Sequence, residues 1–188
     1  MAEERAVPEV FLEELPVSSF DEYLRIFNEA RKKGTLGKVL PPKTMQQMMR
    51  WKKHGTTFFY VKNKSEYEGI PEGRIIGVCG VSQNRLLKSR FQIINQYILP
   101  NFRGKHFAES MLAEQERFAI NQGAKRLHAF LYYFDKAQYK RFRNAQFKWG
   151  ALPSIGHLLK GRISGKVVKK VRLENKTKPP FLKRLLRG

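Results

Sequence analysis

The sequence predicts an α+β fold: one mixed, mostly antiparallel sheet of six or seven strands flanked by about four helices. Three observations predict it. Short runs rich in β-branched and aromatic residues, such as 56–61 and 126–133, alternate with longer segments whose apolar residues recur at three- and four-residue steps. Two extended runs, 74–81 and 91–99, are separated by the polar stretch 82–90, which suits an antiparallel pair. A chain of 188 residues is also the size of one domain with a substantial core.

Taken in order, residues 8–15 read as a short strand, and Ser18 or Ser19 as the cap of a helix running to Lys33. A second helix is expected over 42–54, because Met45, Met48, Met49 and Lys52 repeat at helical spacing and Pro42 suits a first turn. A strand over 56–61 and a polar loop over 62–73 lead into the 74–81 and 91–99 strands. Pro100 and the Arg103-Gly104 turn then give way to a helix from about Lys105. Its apolar residues Phe107, Ala108, Met111, Leu112, Ala113, Phe118 and Ala119 make a core-facing stripe, and Gly123 supplies the stop. The 126–133 strand follows. Asp135, with Gln138 three residues on, has capping-box spacing for a fourth helix, and strands over 147–152 and 166–173 complete the series. Residues 1–173 thus form a single domain, and 174–188, containing Pro179-Pro180, form a basic C-terminal tail.

The strand-to-helix turn near Arg103 carries chemistry. The first N–H groups of a helix lack intrahelical partners and the helix dipole adds positive potential, so an anion placed there is bound by main chain, with Arg103 and Lys105 adding charge. A strand, a Pro, then Arg-Gly-x-x-x-Ala opening a helix resembles the acetyl-CoA pyrophosphate loop of the GNAT superfamily, whose pattern is Gln/Arg-x-x-Gly-x-Gly/Ala. Arg103 fills the first slot and Ala108 the last; His106 stands where the middle Gly belongs, so a β-carbon crowds the approach of backbone to phosphate. The order of elements over 8–173 is also the family's.

The resemblance implies acetyl-CoA (or CoA) as cofactor and transfer of its acetyl group to an amine acceptor on a protein, a small molecule or an RNA-linked aminoacyl group. It assigns the pyrophosphate to Arg103, Gly104, Lys105, His106, Phe107 and Ala108. The pantetheine arm falls to the main chain of Ile98 and Leu99, in a gap between the fourth strand (95–99) and the fifth (130–133). The fourth strand offers no carboxylate where the family often has its base; Asn95 and Gln96 either orient a water or are satisfied polar groups. If Gln146-Phe147 stands for the family's Gly-Phe pair, Phe142 occupies the slot of the usual Tyr. Tyr139, one turn earlier, is then the candidate acid. Asp135 replaces the family's Asn at the start of the fourth helix, near the cofactor. His54, His106 and His128 titrate near neutrality, although a lone His is more often structural. The departures leave open a GNAT-fold protein without catalysis, a structural or nucleic-acid-associated component of a virion or ribonucleoprotein.

The formal net charge is +21 and unevenly placed. Residues 1–30 hold eight acids and two bases, which leaves 35 bases against 8 acids in the remainder. From Lys140 onward Glu174 is the only acid against fifteen Lys or Arg residues. Such a field suits RNA, DNA or another polyanion bound through the basic C-terminal third, or is simply a solubilising surface. The tail's Phe181-Leu182-Lys183-Arg184-Leu185-Leu186-Arg187 has the pattern of one or two amphipathic turns that dock on a partner, a nucleic acid or an anionic membrane, or it is a disordered end. The acceptor is expected over the first two helices and their basic connection, 32–38. Cys79, the single cysteine, lies in an apolar strand and reads as core; no disulfide within the chain is possible and no zinc spacing occurs. With no apolar signal segment and no run long enough for a membrane span, the expectation is a cytoplasmic protein, or one within a virion or ribonucleoprotein assembly, not a secreted one.

Overall fold

The computed structural model describes residues 8–32, 43–132, 136–151 and 164–171. Asp135, Pro42, the 33–42 connection and the 174–188 tail lie outside the described residues, as do Tyr133, Leu152 and residues 172–173 at the ends of expected strands.

Seven strands form one sheet in the order β1-β2-β3-β4-β5-β7-β6. In chain order the elements are β1 (Val10–Glu14), α1 (Phe20–Lys32), α2 (Met45–Lys53), β2 (Thr56–Asn63), β3 (Ile75–Gln83), β4 (Arg90–Ile98), α3 (Phe107–Asn121), β5 (Arg126–Tyr132), α4 (Lys136–Asn144), β6 (Lys148–Ala151) and β7 (Ser164–Lys170). β1 to β4 pair antiparallel, β4 and β5 pair parallel, and β7 slots between β5 and β6. The expected element order therefore stands.

Two helix starts differ from expectation for local reasons. α2 begins at Met45, because Thr44 and Gln47 form a reciprocal capping box that satisfies two end groups at once, a firmer signal than the proline upstream. Of the methionines counted as its apolar face, Met48 is fully buried but Met49 is 45% exposed. α3 begins at Phe107, after a 3-10 turn at Pro100–Phe102 has tightened the chain.

Helix ends follow sequence closely. At the end of α3 the Gly123 N–H bonds Ile120 O and the Ala124 N–H bonds Ala119 O, with Gly123 at φ +87. α4 closes the same way: Gln146 N–H bonds Arg143 O and Phe147 N–H bonds Phe142 O at 2.9 Å, with Gln146 left-handed at φ 66. Such a motif brings the residues at its two ends together, and the Phe142 and Phe147 rings meet edge to face at 4.9 Å.

The sheet is covered on both faces. α1 and α2 bury Phe20, Tyr23, Phe27 and Met48 against Phe58, Tyr60 and Val78. α3 and α4 bury Phe107, Met111, Leu112 and Phe142 against Phe59, Val81, Phe91, Leu127 and Leu131 on the other. Cys79 is fully buried between these layers, and burial pushes its thiol up, so it is core as expected. No helix among the described residues is long and apolar enough to cross a membrane.

Candidate functional site

The parallel strands β4 and β5 share three rungs, Arg90↔Arg126, Phe91↔Leu127 and Gln92↔His128. Beyond them β4 continues along β3 to Ile98 and β5 continues along β7 to Tyr132, without pairing to each other. The divergence thus starts earlier than the 95–99 and 130–133 segments expected for it. Its cause lies in β4, where Val78 faces Tyr97 but Gly80 faces Ile94, so that Asn95 and Gln96 together oppose Cys79. Asn95 sits at φ 53 to make room for the extra residue. A bulge increases local twist and bends its strand, here away from β5. The main chain of β4 past Gln92 is left without a sheet partner on the β5 side, which is what an extended, amide-bearing ligand requires.

Side chains hold the bulge on both faces of the sheet. Gln115, fully buried in mid-α3, donates to Gly80 O at 2.8 Å and Ile94 O at 3.3 Å, and accepts from Gln96 Nε2 at 2.7 Å. On the other face the buried Tyr23 hydroxyl donates to Cys79 O at 3.4 Å, and burial pushes that hydroxyl up. Gly77 lets β3 and β4 close together, since a β-carbon there would stand 2.3 Å from Tyr97 O. Asn95 Nδ2 and Gln96 Oε1 remain buried with no hydrogen-bond partner among the described residues. Asn95 lies close enough to Tyr23 to favour its phenolate, but without a well-aligned bond. Neither residue is therefore a fully satisfied polar group. Sequence reading missed Gln115; the signal was a polar residue at i+4 from Met111 and i−4 from Ala119, on the buried stripe of a helix.

At the open end of the gap the chain turns. Arg103 Nε reaches back to Ile98 O at 3.2 Å and ties the turn to the strand end. Gly104 at φ +81 and His106 at φ 61 then swing the main chain into α3. The N–H groups of residues 104–108 bond no acceptor among the described residues, and they lie at the positive end of a 15-residue helix. Phe107 anchors this helix start, with its ring buried edge-on to Tyr67 and Phe102. Lys105 pairs with Glu68 at 2.5 Å, and Ala108 packs on the core. Ile98 is buried and Leu99 half-buried beside them. The strand gap and this anion-binding turn together fit an acyl-CoA: main-chain donors for the pyrophosphate and unpaired strand edge for the amide arm.

The proton-transfer candidates are less well matched. Phe142 is committed to the core by its contact with Phe147. Tyr139, one turn earlier, is half-buried against the same core cluster. His128 stands on β5 at the last shared rung, edge-on to the 39% exposed Phe130. Burial, followed by the Lys166 charge, lowers its pKa to about 4 although a bond with the Phe91 backbone opposes the shift. His128 is therefore neutral at pH 7. His54 lies far away at the end of α2. A depression of about 500 Å³ between α1, the start of β3 and Leu99–Phe102 lies on the β3 side of β4, away from the gap. Among the described residues no cluster of His, Cys, Asp or Glu is arranged to hold a metal.

A bulged fourth strand, parted from a parallel fifth and followed by a helix start with unbonded main-chain N–H groups, defines the acyl-CoA N-acyltransferase fold. Residues 20–144 match the Acetyltransferase (GNAT) family, and the chain belongs to it. Solved structures share the fold at low identity. An N-acetyltransferase from Staphylococcus aureus superposes with TM-score 0.63 at 17% identity, covering 87% of this chain and 99% of that one. A ribosomal-protein-alanine N-acetyltransferase from Brucella melitensis gives 0.61 at 16% identity, covering 86% and 99%. An IAA acetyltransferase from Bacillus cereus gives 0.62 at 13% identity, covering 87% and 100%. No curated protein matches this chain in sequence.

Proposed function

We propose that this chain is an N-acetyltransferase that takes the acetyl group of acetyl-CoA to an amine acceptor. The observation that carries the reading is the parting of β4 from β5 after three rungs, with the unpaired N–H groups of residues 104–108 at its mouth. Acetyl-CoA, when bound, would supply an activated thioester. Residues 104–108 would hold its pyrophosphate by main chain. Arg103, whose Nε already braces the turn through Ile98 O, would add charge there. The β4 main chain through Ile98 and Leu99 would align the pantetheine amides, and the acyl end would lie toward the bulge.

The acceptor would approach over α1 and α2, beside the open face of β5 that carries Phe130 and His128. The bulge side chains offer Asn95 Nδ2 as a donor for a carbonyl oxygen or a water. Because β4 brings no carboxylate, the acceptor's proton would leave through water, which demands an amine able to lose it near neutral pH. Tyr139 would return a proton to the departing sulfur.

Calorimetric titration with acetyl-CoA tests the reading. Micromolar binding is expected, with at least a tenfold loss in Arg103→Glu, roughly 1.4 kcal/mol. No binding at millimolar acetyl-CoA would sink the proposal. If binding holds, free-thiol release in the presence of amine and peptide acceptors separates an enzyme from a cofactor-binding protein without catalysis. Tyr139→Phe should then lower turnover while leaving acetyl-CoA affinity unchanged.

A further inference from the structure

At the end of the sheet opposite the cofactor gap, cations gather without acids. The first rung of the parallel pair joins Arg90 to Arg126, and Arg126 in turn faces Lys170, a row of three positive residues across neighbouring strands. The β3–β4 hairpin adds Arg85 and Lys88, and the Arg85 guanidinium bonds Lys53 O at 2.5 Å, which draws in the end of α2 with Arg50 and Lys53. Segments 50–56, 82–91, 121–128 and 168–171 contain no Asp or Glu.

Several acids elsewhere are matched. Glu14 on β1 pairs with Lys52, and Glu114 and Glu116 on α3 pair with Arg117 and Lys169. Lys52 and Lys169 are thus paired, but Arg50, Lys53, Arg85, Lys88, Arg90, Arg126 and Lys170 have no carboxylate partner among the described residues. The His54 imidazole registers the resulting field: its pKa is lowered first by Arg85, then by lost solvent and by Arg50 and Lys53.

In the middle of these charges two apolar side chains point into water. Leu86 is 94% exposed and Leu87 45%. The tip that carries them is built, with Asn84 Oδ1 accepting from Leu86 N at 3.0 Å and Leu87 N at 2.8 Å, and Gln83 Nε2 donating to Lys88 O at 2.9 Å. On the β6–β7 side of the sheet a groove of about 920 Å³ is lined by Ile120, Val168 and Val171 together with Lys148, Lys169 and Lys170.

We propose that this end of the molecule docks on an anionic lipid bilayer, with Leu86 and Leu87 seated at the interface and the surrounding Lys and Arg residues against the headgroups. A nucleic acid would account for the cations but leaves a protruding, cation-ringed leucine pair unused; a bilayer interface takes both. β4 spans nine residues, so the cofactor turn would stand ~27 Å from the lipid and remain open. β7 also ends at this face, and the sequence beyond it carries Arg172, Lys176, Lys178, Lys183, Arg184 and Arg187 against Glu174.

Vesicle flotation of the full chain decides it, comparing phosphatidylcholine alone with phosphatidylcholine containing phosphatidylserine. Binding should require phosphatidylserine and weaken as salt is added. The double variant Leu86→Ser, Leu87→Ser should bind about tenfold more weakly, with an unchanged melting temperature and unchanged acetyl-CoA affinity. Lys88→Glu with Arg126→Glu should abolish flotation. Absence of binding to the anionic vesicles, or binding indifferent to the leucine changes, overturns the proposal. A DNA duplex or RNA strand whose binding drops as much in the double leucine variant would reassign the face to nucleic acid and overturn it as well.

Discussion

His106 holds φ 61 and ψ 3 at the start of α3, a left-handed conformation that costs a residue with a β-carbon ~1 kcal/mol or more. Its side chain makes no capping bond in return. His106→Gly is therefore expected to raise stability by up to ~1 kcal/mol and to tighten acetyl-CoA binding by removing a β-carbon from the turn. Thermal melts and titration check both; a fall in either would mean that the imidazole makes contacts outweighing the strain. His128 gives a prediction in pH. Its folded pKa of about 4 lies below the ordinary 6.5, so on acidification the unfolded chain takes up this proton first. Stability from this group is full above about pH 6.5, is lost as pH falls toward about 4, and changes no further below, a total of at most ~3 kcal/mol. Denaturant midpoints across that window should fall less steeply in His128→Gln than in the wild type. Equal slopes would remove His128 as the cause.

At the scale of elements, the β4 bulge does the most, and the least of it was legible. Strands and helices follow period and turn chemistry, so Gly123 and the apolar stripe of α3 announced themselves. The parting of β4 from β5 depends on an extra residue between Ile94 and Tyr97, and no local pattern marks it, because Asn95 tolerates a left-handed turn without being a glycine. The strand-to-helix turn was legible because it is local, Arg103 to Ala108 in one stretch, and the left-handed Gly104 and the start of α3 fall there. Which of Tyr139 and Phe142 turns inward was not legible, because they are one helical turn apart and packing against Phe147 decides it. Gln115 ties these levels together, since it grips both sides of the bulge. Gln115→Leu keeps the volume but strips donors from Gly80 O and Ile94 O, at a cost of ~1–3 kcal/mol. Acetyl-CoA affinity should fall by about tenfold even well below the melting temperature, and Gln115→Glu, whose buried carboxylate faces both carbonyls with an acceptor, should fall at least as far. Unchanged affinity in a folded Leu variant would show that the bulge stands without it.

For the whole molecule, charge and architecture separate the two ends of the sheet. The acids concentrated in residues 1–30 come to rest as partners for nearby cations, Glu9 with Lys64, Glu13 with Lys62 and Glu14 with Lys52. This pairing explains why a count along the sequence placed the excess in the C-terminal third. In space a group of unmatched cations from α2, the β3–β4 hairpin, β5 and β7 comes together at one end of the sheet, while Lys136, Lys140 and Arg143 lie apart on α4. A polyanion should thus bind through one end of the sheet rather than through one stretch of chain.

The three shared rungs of β4 and β5 also divide the sheet into a four-strand meander, β1 to β4, and a three-strand piece, β5 to β7. With three rungs, no more than join β6 to β7 at the edge, the seam is a weak line through the middle of the sheet. The smaller piece should open on its own, so amide hydrogen exchange at β5 and β7 should run ahead of exchange in β2 and β3. A cofactor laid along the gap would lean on both pieces at once and act as a bolt across the seam. Saturating acetyl-CoA should then slow exchange in β5 and β7 more than in β2 and β3, and a uniform slowing would show that the two pieces already open as one.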